Sequence, residues 1–122
     1  MPELTAKTRG RITQHINRIL DLLSRNKDLT REATENGDLP TVQRLASARG
    51  DIQNQLEELI ELRDHVYITS GMPSDQAETR LVNSADSARA IARSAKNVAT
   101  TLTAIAKMGD LVTALLGVFK AV

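Results

Sequence analysis

His15 and His65 are the only histidines in the chain, so metal or acid–base chemistry would have to run through them. A helical hairpin turning near residue 38 sets position 15 level with about position 61. That brings His15 towards Glu58, Glu61 and His65 and sketches a histidine–carboxylate metal site. The spacing works against it. Glu58, Glu61 and His65 share the flank of their helix away from the Leu56/Leu59/Val66 seam and face water, whereas His15 belongs to an apolar stripe and faces inward. The Glu-x-x-His signature of helical di-iron sites does not occur. No metal ligand, cofactor site or catalytic residue is assigned.

Other chemistries fail on residue types. The chain has no cysteine, which removes thiolate zinc sites, cysteine nucleophiles and disulfide frameworks together. It has no Gly-rich phosphate loop and no G-x-S-x-G elbow. The expectation is a protein that is not an enzyme and takes no small-molecule substrate. Arg49-Gly50-Asp51 spells the cell-adhesion tripeptide, but it falls inside a predicted helix and not on the exposed loop such a motif needs. Two basic groups could meet phosphates: Lys7, Arg9, Arg11, Arg18, Arg25 and Lys27 near the start, and Arg89, Arg93 and Lys96 later. Without an aromatic stacking platform, and with an acidic middle segment, nucleic acid is not the expected partner.

What remains is architecture. Of 122 residues, 41% are apolar, 25% charged and only 2% aromatic, so the core must be built from Leu, Ile, Val, Met and Ala. That palette favours helices over sheets. Net charge is +1, yet the sign alternates. Residues 1–27 carry six Lys/Arg against two acids, 28–66 four against nine, and 67–122 six against four. Blocks of opposite sign suit neighbouring helices that complement each other. The start has basic residues but no apolar run after them, so no secretory signal is expected. The expected location is the cytoplasm, or the exterior after export without a signal peptide.

Apolar periodicity places the elements. Ile12, His15, Ile19, Leu22, Asn26, Leu29 and Ala33 recur at alternating spacings of 3 and 4, predicting one helix over about 3–35. Asn36-Gly37 supplies its stop, and Asp38 with Pro40 starts a second helix over about 40–67 along Leu45, Ile52, Leu56, Leu59, Ile60 and Val66. TSGMPSD, residues 69–75, is a loop with candidate caps at Ser74 and Asp75. RGRITQHINRILDLL from Arg9 and RGDIQNQLEELIELR from Arg49 form a weak repeat at an offset of 40, predicting two equivalent helices. Gly10 and Gly50 would mark a kink or a close backbone approach.

The last stretch predicts a third helix over about 75–120, with an Ala-rich first half (Ala85, Ala88, Ala92, Ala95, Ala99) and a second half apolar nearly all round. Such a helix would be roughly 69 Å long, overhanging its partners by about 20 Å. Either residues 110–121 fold back after Gly109 as a short fourth helix, or the overhang packs on a partner. The expectation is therefore all-α: one domain over residues 1–122, an elongated antiparallel bundle of three long helices with that optional fourth. Function is expected to be assembly. The chain self-associates, as a homo-oligomer, or docks a protein partner through Ile105, Met108, Val112, Leu115, Leu116 and Phe119, since large apolar patches mark interfaces. The alternative is a membrane-active helical protein whose C-terminal helix enters lipid, although Lys107 and Asp110 would each cost roughly 2.5–3.5 kcal/mol at a bilayer centre.

Overall fold

The computed structural model describes residues 6–64, 66–68 and 74–121. It is all-α, with four packed helices: α1 (Ala6–Glu35), α2 (Leu39–Asp64), α3 (Ser74–Ser94) and α4 (Val98–Leu116). Two three-residue strands, β1 (Val66–Ile68) and β2 (Phe119–Ala121), pair antiparallel with Ile68 opposite Phe119.

The α1–α2 turn follows from its residues. Gly37 adopts φ 68°, a left-handed conformation that glycine takes without penalty. The amides of Gly37 and Asp38 then donate to the carbonyls of Thr34 and Ala33, which satisfies the end of α1 in a Schellman arrangement. Asp38 starts α2, its carboxylate accepting from the amide (3.3 Å) and hydroxyl (2.6 Å) of Thr41.

The long third helix is corrected to two. Its break lies at residues 95–97 and not near Gly109. Asn97 caps α4 by accepting from the Thr100 amide, while the Thr100 hydroxyl accepts from the Asn97 amide, forming a reciprocal capping box. The two helices are 21 and 19 residues, or roughly 31 and 29 Å, so the overhang disappears. The other ends are also earlier than periodicity suggests. α2 stops at Asp64 and α4 at Leu116, because Val66-Tyr67-Ile68 and Val118-Phe119 carry the β-branched and aromatic residues that favour a strand ladder.

α1 and α2 form one antiparallel hairpin, α3 and α4 another. The β1–β2 ladder ties the C-terminal ends of α2 and α4 together, so these two run in the same direction. α1 packs on α2 and α3, α4 packs on α2 and α3, and α2 and α3 occupy opposite corners. One contiguous core runs through the four, from Ile12, Ile19 and Leu22 through Ile52, Leu59 and Leu62 to Leu81, Met108, Val112 and Phe119. The repeat is matched in burial: Ile12, Ile19 and Leu22 and their counterparts Ile52, Leu59 and Leu62 are all enclosed. Nothing approaches the position of a Cβ at Gly10 or Gly50, so neither marks a close approach.

Candidate functional site

The six residues expected to form a docking face divide unequally. Ile105, Met108, Val112, Leu115 and Phe119 are buried in the core of their own chain, and Leu116 is half-buried. As an exposed face they are corrected. The fold-back at Asn97 brings α4 onto α1, α2 and α3, which is what a three-rod arrangement could not do. The two flanks of α4 stay accessible. Leu102, Ala106 and Gly109 lie towards α2, and Leu111 and Ala114 towards α3.

The α2–α4 flank forms a groove of about 510 Å³. Its walls carry Asp51, Glu58 and Asp110 against a single Arg44, so it is acidic. Gln55 lines the floor at 8% exposure. Its amide nitrogen donates to the Ile105 carbonyl over a long 3.4 Å, and its amide oxygen has no partner. Gly109 makes room for it, since a Cβ there would stand 2.9 Å from Gln55 Nε2. Gly109 is thus a packing position opposite Gln55 and not a bend. A smaller crevice of about 250 Å³ lies on the other flank, between Leu111 and Ala114 of α4 and Asn83 and Ser84 of α3.

His15 is fully enclosed, and neither ring nitrogen has a hydrogen-bond partner. Burial pushes its imidazole down to about 4, because the charged form loses its hydration. Glu58 and Glu61 face solvent, as their flank predicts, and His65 lies outside the described residues. No group of three His, Asp or Glu side chains comes together among the described residues.

The hairpin turn end holds a polar cluster that periodicity could not assign. Asn26 donates to the Leu45 carbonyl (2.9 Å), and Arg49 donates to Asn26 Oδ1 (3.1 Å) and to the Thr30 hydroxyl (2.7 Å). Arg49 is thereby turned into the α1–α2 contact, so Arg49-Gly50-Asp51 is not presented as a peptide loop. Arg18 pairs with Asp21 at 3.2 Å on α1. Arg89, Arg93 and Lys96 are exposed at one face of α3 and the turn after it. The signal for the cluster was the polar Asn26 inside an apolar stripe.

Comparison with known proteins gives no relative from which to transfer a role: no family model, no curated protein and no solved structure matches the chain.

Proposed function

We propose that the chain is a non-enzymatic helical-bundle assembly protein that self-associates or docks a protein partner through the accessible flanks of α4. The carrying observation is the state of α4 itself. It is the most apolar helix, and part of its apolar surface is only partly covered by its own chain. Leu102, Leu111 and Leu116 are half-covered, and Ala106 and Ala114 lie exposed between polar residues. Apolar surface of this kind is stabilised when a partner removes it from water, at about 25 cal/mol per Å². Small residues on the same helix let a partner backbone approach closely.

A second reading is membrane association, favoured by one observation. α4 is long and apolar enough to cross a bilayer by length and composition, with a mean hydropathy of 1.3. Lys107 and Asp110 near its middle weigh against a spanning state.

Light scattering of the purified chain, alone and with anionic lipid vesicles, separates the two. The assembly reading expects oligomers that a Leu102→Lys/Ala106→Lys variant loses, with no binding to vesicles. Vesicle binding by a monomer supports the membrane reading. A monomer that captures neither itself nor lipid, nor any protein from a cell extract, overturns both.

A further inference from the structure

α3 is the least anchored of the four helices. α1 and α2 share the hydrogen bonds of Asn26, Thr30 and Arg49, while α2 and α4 are joined by the strand ladder at their ends and by the bond from Gln55 to the Ile105 carbonyl. Among the described residues, no side chain of α3 hydrogen-bonds or ion-pairs with another helix. Its buried face is Ala77, Leu81, Ser84, Ala85 and Ala88, so one large side chain is enclosed and little apolar area leaves water. The Ser84 hydroxyl is buried there without a partner, which weakens the contact further. The helix runs at its C-terminal end into the non-helical residues 95–97, where a hinge can absorb a change of direction.

His15 stands against this helix. It lies one turn beyond Arg11, which borders Glu78, Thr79 and Val82 of α3 across a shared crevice, and its own side chain is fully enclosed. Neither ring nitrogen has a partner, and no carboxylate is buried among the described residues to receive a charge. The charged groups around it stay at the surface: Arg11 and Arg18 one turn away on α1, Glu58 and Glu61 on α2, Glu78 on α3, Lys107 and Asp110 on α4, all exposed or half-buried. The two on its own helix are cations, so an imidazolium there is repelled as well as stripped of water.

We propose that α3 is an acid-released helix: a proton on His15 drives it off α1 and α4, hinged at residues 95–97, while α1, α2 and α4 stay packed. The ring then reaches water, and its charge is hydrated. Burial holds the imidazole down to about 4 in the closed bundle, against 6.5 when it is free. Opening is therefore indifferent to pH above 6.5 and is favoured by about tenfold for each unit that pH falls from there towards 4. This is a property of the single chain, and it stands or falls apart from the assembly and membrane readings.

Residue-resolved hydrogen exchange on the full chain, in half-unit steps from pH 7 to 5, tests it, with each rate divided by that of an unfolded chain at the same pH. The expected result is an opening population at Leu81, Ala85 and Ala88 that climbs about tenfold per unit below pH 6.5, with protection at Leu22, Leu59 and Val112 unchanged. His15→Gln and His15→Leu, which cannot take the proton, are expected to give a flat profile in α3. Circular dichroism at pH 7 confirms that both keep their helices, and the slope with pH decides whatever the level at neutral pH. The chain's other histidine is the control, His65→Gln keeping the slope of the unmodified chain. Loss of protection in all four helices together would mean that acid melts the whole bundle, and it overturns the proposal. So does a slope that survives both His15 variants, a slope that His65→Gln removes, or no slope at all.

Discussion

The two hairpins of this bundle share a topology and one apolar core, and only the first adds side-chain hydrogen bonds between its helices among the described residues. α1 and α2 meet through a polar register: Asn26, Thr30 and Arg49 hydrogen-bond across the helix pair, and the Leu45 carbonyl joins them. No described side chain of α3 hydrogen-bonds to α4, and the two helices pack with Ala77, Leu81, Ala85 and Ala88 of the one and Ala104, Met108 and Leu115 of the other all buried. Directional bonds fix one alignment, whereas apolar contacts reward area and tolerate sliding. The first hairpin is therefore the rigid reference, and the second offers the surface that can be shared with a partner.

The largest effect should come from the apolar hairpin. Phe119→Ala removes a fully enclosed side chain and is expected to cost about 3–5 kcal/mol, read by urea unfolding. A cost below about 1 kcal/mol would mean that the second hairpin contributes little to the core.

Acid should act next, on the first hairpin. His15 is neutral in the folded chain down to about pH 4, while the unfolded chain takes up its proton near 6.5. The unfolded state thus gains a proton first as pH falls, and stability present above pH 6.5 is lost progressively towards pH 4. The loss is of order 3 kcal/mol, and a His15→Leu variant should show a correspondingly flatter stability profile over that range. Parallel profiles for the two proteins would contradict it.

Cutting the polar register should cost less. Arg49→Ala leaves Asn26 Oδ1 with only the long 3.4 Å contact from the Thr30 hydroxyl and is expected to destabilise by about 1–3 kcal/mol, with the amides around Leu45 exchanging faster. The equivalent cut at the second turn, Asn97→Ala, removes only a cap and should cost about 1 kcal/mol by thermal unfolding.

The smallest effects separate two glycines of opposite meaning. Gly50→Ala meets open space in a helix interior and should stabilise by about 0.5–1 kcal/mol. Gly109→Ala meets Gln55 Nε2 and should give less than that or destabilise. Equal gains would show that the α2–α4 contact has slack.

Much of the first hairpin was legible in the sequence. The alternating spacings from Ile12 to Ala33, Asn36-Gly37 and Asp38 each state a local physical requirement, and the helix boundaries followed within a few residues. The second hairpin was harder because its break leaves no glycine or proline. The mark was Asn97-x-x-Thr100, a capping box built from amide and hydroxyl, set inside a run whose Ala periodicity continues on both sides. Missing it turned two helices into one overhanging rod, and that rod made Val112, Leu115 and Phe119 look like surface. The candidate groove was not legible at all, since the pairing of α2 with α4 depends on the tertiary arrangement that brings Gln55 to Ile105.

Amide hydrogen exchange on the chain at a dilution where it is monomeric tests the account most directly. Slow exchange at Met108, Val112 and Leu115, with protection unchanged when the concentration is raised, is the predicted result, because these residues close the chain's own core. Amides there that exchange at the rate of an unfolded chain until association sets in would contradict it.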